Sequence, residues 1–530
     1  MTRLCKECLW NGQLTLRLVL WLMLTSLLPP KVLACGSLLA VGEEELTEEN
    51  GVVYKNGCIV VGVKDRSREG YDLREGTRAL APFAFKDCRN MRILRLPVSI
   101  ERIGNFAFEN CSSLSSIELP AELKEIGASA FYKCVSLAEV AIPSGVQALE
   151  DETFFHCSSL EKVSLPKGLR RIGEFAFCGC LSLKAIALPE NVSDIGDAAF
   201  SDCQSLQHIT IPKGVEAVLH STFQNCRSLE SVSLPNGMRH LGVNAFRGCS
   251  ALVDVQAPYS IENVEGGAFY GCTSLPAEDG VCYIGDVAVG VADRQQETYR
   301  LKADTRIICD AFHDCVNLNR IDIPQAVCQI RGQAFTNCES LPEVSIPGGV
   351  EELADCVFEG CKKLSSIRFG KGLKRIEGNA FRSCASLTRL VIPQGVERIG
   401  FCAFAECEGI ACVELPESLR ELDGDAFSGC IRLADIFSFS PRPFRLSGSF
   451  EGANEKTVLW VPRGSRRIYG KEIFAPDRLP VAFLGRIREM PFCQSCIGMV
   501  LNVYILGGWR IVASGCLGNR KAFAQLRKGL

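Results

Sequence analysis

The chain has 530 residues, of which 47% are hydrophobic and 22% charged, and a formal net charge of −3. That composition supplies a large core and excludes a disordered chain, which would be sparsely hydrophobic. A near-neutral balance, with no basic stripe interleaved with aromatics, excludes nucleic acid as a partner.

Arg3, Lys6 and Arg17 surround the start of an apolar run, Leu18 to Leu28, which is followed by Pro29, Pro30 and then Val32-Leu33-Ala34 before Cys35. A charged start, a short apolar core and small exit residues predict a signal peptide over 1–34, too short to span a bilayer comfortably. Cleavage after Ala34 leaves Cys35 at the new terminus. V-L-A-C resembles a lipobox with an imperfect second position, so Cys35 is the lipidation candidate; an ordinary signal that happens to precede a Cys is the alternative. Membrane contact is expected only through such an anchor. Residues 35–50 read as a leader whose acidic EEELTEEN stretch is solvated.

From Gly51 to Lys64 the text GVVYKNGCIVVGVK has short β-rich runs around Asn56-Gly57, a hairpin signal. A repeat then begins. Phe85, Phe108, Phe131, Phe154, Phe177, Phe200, Phe223, Phe246 and Phe269 stand 23 residues apart. After an interruption Phe312, Phe335, Phe358, Phe381, Phe404 and Phe427 resume the step, and a Cys follows three residues after each of the fifteen. A fixed period in this range predicts a solenoid, in which each coil buries its apolar face only by stacking on its neighbours. Within a unit, Leu114, Ile117, Leu119 and Pro120 form an L-x-x-I-x-L-P strand signal that ends at the proline. Leu123 and Ile126 lead to Gly127, read as a turn position, and Ala130, Phe131 and Cys134 predict a short helical or irregular return.

The interruption carries a second hairpin signal, GVCYIGDVAVGV from Gly280 to Val291. Like the first, it is followed by an Asp-Arg pair, a Leu, a Thr-Arg pair and a repeat Phe, which predicts two blocks of one plan, 51–278 and 279–438. Residues 439–490, with the phase kept at Phe450, read as a C-terminal cap that shields the last coil.

The repeat resembles the BspA-like, or Treponema pallidum type, leucine-rich repeat, as in IPQGVERIGFCAFAECEGIACV from Ile392 to Val413. The resemblance covers roughly residues 80 to 438 and implies the fold class: an α/β leucine-rich repeat solenoid, an arc with a parallel β-sheet. It also implies a surface or secreted protein that binds other proteins, in a family known mainly from bacteria of the mouth and gut and from some parasitic protists. The closing segment LWVPRGSRRIYG resembles the end of such arrays. The tail 491–530, with NVYILGGWRIVASG and AFAQLRKGL, resembles the sorting domain of the type IX secretion system. That domain normally continues one strand past its L-x-K-G step, which counts against sorting here.

The chain has 29 cysteines. Fifteen hold the position where such repeats bury a small residue, and parallel inward side chains aim past one another, so these are expected unbridged. Cys493 and Cys496 form a lone C-x-x-C, read as a local disulfide or idle thiols rather than a metal site. His156, His208, His220, His240 and His313 occupy different repeat phases and are not expected to gather. No hydrolase, zincin, P-loop or Rossmann motif appears. No enzyme, cofactor or metal is therefore expected; a scaffold of the cell envelope, or an enzyme using the repeats as a targeting arm, is the alternative to a binding protein. Between the last two core residues of each strand, one outward column holds Glu118, Ser164, Thr210, Ser233, Gln256, Asp322, Ser345, Arg368 and Glu414. These are the candidate partner-binding residues, for an extracellular protein or glycan on host matrix or other cells, with simple solubility as the bland reading.

Overall fold

The computed structural model describes residues 45–258, 261–423, 425–446, 457–472 and 487–490. The expectations for the signal peptide over 1–34, for Cys35, for Phe450, for Cys493 and Cys496 and for the tail from 491 lie outside the described residues. Coils are numbered here by their Phe, from one (Phe85) through nine (Phe269) and ten (Phe312) to fifteen (Phe427).

Most 23-residue steps carry two strands, one more than the sequence pattern predicts, the first shrinking to a single bridge at Ser116 and at Ala185. The first is the expected one. Glu139–Ala141 and Lys162–Ser164 pair in parallel, as do His208–Thr210, Ser231–Ser233 and Asp254–Gln256. The middle residue of each points inward, as Val140 and Ile209 do, and its neighbours point out, following the period of two. Proline ends the strand and its carbonyl then closes a turn: Leu123 N–H donates to Pro120 O at 3.0 Å and Val146 N–H to Pro143 O at 3.1 Å.

The second strand is only two residues long. Arg102–Ile103 pairs in parallel with Glu125–Ile126, and seven such strands, from Ile307–Ile308 to Arg445–Leu446, share one sheet with the strands of the second hairpin. Isoleucine and leucine here are buried while the preceding residue faces out.

The return is neither helical nor irregular. It is a run of tight turns that forms a third ladder. Ser129, Phe131 and Lys133 donate their N–H groups to Asp151, Thr153 and Phe155 of the next coil at 2.8–2.9 Å, and the alternate residues bond within their own coil. The residue before the ladder Cys has positive φ in all fifteen coils, from Asp87 at 60° to Gly429 at 72°. Asp, Asn and Gly tolerate that region best, and eleven of the fifteen are of those types. Among the described residues the one α-helix is Arg466–Glu472, so the α part of the expected α/β class is confined to the cap.

Gly127 has an ordinary φ; close approach of the neighbouring coil explains it instead. A Cβ there would lie 2.6 Å from the backbone N of Asn105.

Inside, the phenylalanines stack. Centroids from Phe85 to Phe269 are 5.0–5.6 Å apart and those from Phe312 to Phe427 5.1–5.4 Å, with near-parallel planes. Each buried ring contributes about 1.5–3 kcal/mol. A tyrosine heads each stack: Tyr71 on Phe85 and Tyr299 on Phe312, tilted by 58° and 56°. Their hydroxyls donate to the carbonyls of Asp65 and Asp293.

Both hairpins form, Val52–Lys55 with Ile59–Val63 and Val281–Ile284 with Val287–Val291. The leader is corrected: Leu46–Glu49 is an edge strand antiparallel to Val52–Lys55, turned by Asn50-Gly51, both at positive φ. Asn-Gly favours such a two-residue turn over a solvated tail. Ala277–Glu278 does the same at Asp279-Gly280. In the cap, Val458–Val461 and Ile487–Glu489 extend the first ladder, and buried Tyr469 shares a hydrogen bond with Ser438 Oγ at 2.7 Å and donates to Ser440 O at 2.8 Å.

Candidate interaction face

The outward side chains of the first ladder line up by register. Ser233 stands between Thr210 and Gln256, Ser345 beside Arg368, and Glu414 beside Val391. Glu118, Ser164, Thr210, Gln256, Asp322, Ser345 and Arg368 are exposed, and Ser233 is half-buried. Asp322 is paired with Arg320 at 3.2 Å and Arg368 with Glu343 at 3.4 Å; such exposed pairs are weak and easily exchanged for a partner's groups. Glu414 departs from the column. It is only 8% exposed, because Arg389 folds over it in an ion pair and the next residue in register is Phe437.

The column does not stop at Glu414. Continuing the 23-residue step gives Phe437 and then Trp460, and Arg488 follows in register. Phe437 and Trp460 stack at 5.9 Å, Arg488 lies over the indole at 5.8 Å, and the indole N–H donates to Asp435 Oδ1 at 2.7 Å. All three are at least partly exposed. The repeat phase alone would have found the two aromatics, had it been carried past the last intact L-x-x-I-x-L-P string.

The ladder is also interrupted within the column. Ser366–Arg368 pairs backward with Glu343–Ser345 and not forward with Arg389–Val391. Between them opens a depression of about 270 Å³, bordered by Ser366, Ile367, Phe369, Arg389, Leu390 and Val391. This coil reads Phe369-Gly370 where most others read Leu-Pro or Ile-Pro, and a Cβ at Gly370 would fall 2.2 Å from Pro347 O, so the backbone lies close against the preceding coil there.

The ladder thiols are buried, and thirteen of them donate to the carbonyl of a Phe 26 residues back, as Cys203 does to Phe177 at 3.2 Å and Cys361 to Phe335 at 3.2 Å. Cys88 and Cys315, which open their stacks, face the Tyr71 and Tyr299 hydroxyls instead. All are unbridged. Burial pushes the Cys361 thiol up to about 12, so the reactive thiolate is suppressed.

Two histidines do come together, against expectation. His220 and His240 approach the two carboxylate oxygens of Glu265 at 3.8 and 3.7 Å, and His240 is held by Asn263 at 2.9 Å. Glu265 replaces a turn glycine and reaches back over two coils, which is why repeat phase did not reveal the meeting. Among the described residues no three His, Cys, Asp or Glu are close enough to share a metal ion. No described helix is long and apolar enough to cross a membrane.

A family model described as a BspA type leucine rich repeat region matches residues 78–184, 148–276 and 305–434, more than half of the chain. Among solved structures, a leucine-rich repeat protein from Bacteroides ovatus is 25% identical over 80% of this chain and 100% of its own, with a TM-score of 0.42. A leucine-rich repeat protein of T. pallidum is 28% identical over 44% of this chain and 87% of its own, with a TM-score of 0.27. A leucine-rich cell surface protein from Faecalibacterium prausnitzii is 21% identical over 75% and 96%, with a TM-score of 0.39. None of the curated proteins matches.

Proposed function

The chain belongs to the BspA type leucine-rich repeat proteins, and from that premise we propose that it is an exported, non-enzymatic binding protein whose first-ladder face engages an extracellular protein or glycan. The observation that carries this reading is the change in character along one outward column. Small and polar residues such as Ser164, Thr210 and Ser233 give way to Arg368, then to an opening floored by Leu390, then to Phe437, Trp460 and Arg488. Solubility alone accounts for the first group and not for the second. Partly exposed Trp, Phe and Arg on a rigid sheet are the residue types that concentrate binding energy, so most of the face serves as complementarity and its C-terminal end as anchor.

The test is binding of the purified protein to arrays of matrix proteins and glycans. Wild type retains a defined subset; Trp460→Ala and the double charge reversal Asp322→Arg with Arg368→Glu each weaken retention at least tenfold while leaving the circular dichroism spectrum unchanged. Full retention by both folded variants removes this face from consideration.

A further inference from the structure

The seam between coils nine and ten is built differently from every other step. Elsewhere the turn residues bond directly from coil to coil, as Phe246 N–H does to Ala268 O at 2.8 Å. From Gly267, Phe269 and Gly271, the residues that should continue this ladder, no backbone bond to coil ten is formed. The aromatic stack breaks as well: Phe269 stacks only backward on Phe246, and Phe312 meets Tyr299.

A buried carboxyl side chain sits where the connection is missing. Asp310 occupies the turn position that has positive φ in the other fourteen coils, but its own φ is not positive, and its side chain turns inward until only 3% of the residue is exposed. Its carboxyl is buried at the seam, and Oδ1 has no hydrogen-bond partner. Polar groups without partners concentrate here. Seven buried side-chain atoms among the described residues lack a hydrogen bond, and five of them, on Asn263, Thr305, Asp310, His313 and Arg331, lie on coils nine to eleven. Native interiors rarely leave such groups unpaired, and regions that do are the ones that open locally.

We propose that this seam is a proton-responsive hinge, with Asp310 as the group that closes it when neutral and loosens it when ionised. The groups facing Asp310 are Arg247 from coil eight, the Cys272 thiol from coil nine, Arg294 from the hairpin exit, Cys309, His313 and Asp314 from its own turn and, beside Cys309, Arg331 from coil eleven. The two nearer cations are diverted. Arg247 and Arg294 lie over the Tyr270 ring at 4.8 and 5.2 Å, and Arg294 donates to the His313 carbonyl, so neither neutralises the carboxylate directly. Burial therefore dominates and pushes Asp310 from its ordinary 3.8 up to about 6. With the closed-state value above the open-state value, the closed seam binds the extra proton. Closure is favoured as pH falls through 6 and the gain is complete below about 4, a shift of up to about a hundredfold in the opening equilibrium.

Hydrogen exchange of the full chain, read by mass spectrometry at pH 7.5 and 5.0 and corrected for intrinsic rates, tests this. Peptides spanning 262–272 and 305–314 gain protection at least fivefold on acidification in the wild type, whereas coils three to five do not change. Asp310→Asn, which fixes a neutral side chain of the same shape, removes the pH dependence. His313, whose burial holds its pKa below the ordinary value, titrates nearby, so His313→Gln is the discriminating control and keeps the dependence. Equal seam protection at the two pH values in the wild type overturns the proposal. So does a pH dependence that survives in Asp310→Asn, or one that vanishes in His313→Gln.

Discussion

Single residues in this chain are selected by what the adjacent coil does. The ladder cysteine is small enough to fit beside the phenylalanine stack, and its S–H satisfies a carbonyl of the preceding coil, a pairing that alanine cannot make. The glycine of the second strand is fixed by backbone from the preceding coil at 2.6 Å, so the smallest addition is felt. Gly127→Ala forces Asn105 and its backbone aside and lowers stability by about 1–3 kcal/mol, measured as a fall in the denaturant midpoint. Loss of less than a few tenths of a kcal/mol would show that the coils are not in close contact there. The same logic separates the candidate face: Arg368 is exposed with a weak partner, whereas Glu414 in the same column is committed to Arg389.

At the scale of the element, cohesion comes from three ladders of backbone bonds around one aromatic stack. Each coil touches only its two neighbours, so damage stays local. Phe177→Ala leaves a cavity between Phe154 and Phe200 and costs about 3–5 kcal/mol. Exchange protection then falls in the Phe154, Phe177 and Phe200 coils and is unchanged beyond Phe246. Uniform loss along the chain would mean that the coils do not behave as nearest-neighbour units.

For the whole molecule the decisive feature is that the stack is made twice. Each run has its own tyrosine head and its own three-stranded opening, and the hydrophobic core divides into two clusters that meet at the second hairpin. Without a continuous stack or turn ladder across the seam, the two runs are expected to unfold in separate steps. In a urea series followed by pulsed hydrogen exchange, coils one to nine and ten to fifteen lose protection at different concentrations, and a single coincident midpoint would contradict the division.

The sequence by itself determined the period, the phenylalanine stack, the buried thiol row, the first strand with its proline exit and the two hairpins. It could do so because stacking requires the same side chain at the same phase in every coil, and repetition makes that requirement visible in the letters. The second strand and the turn ladder escaped notice because they are made of backbone bonds. Their side-chain signature is faint, a bias to Asp, Asn and Gly before each Cys. Only the tertiary structure decided that Glu414 is covered, that His220 and His240 share Glu265, that Phe437 and Trp460 join the outward column, and that Asp310 turns inward. Each of these depends on how a particular pair of coils departs from the average step, and departures from a repeat are set by lateral packing between coils rather than by the phase of the repeat itself.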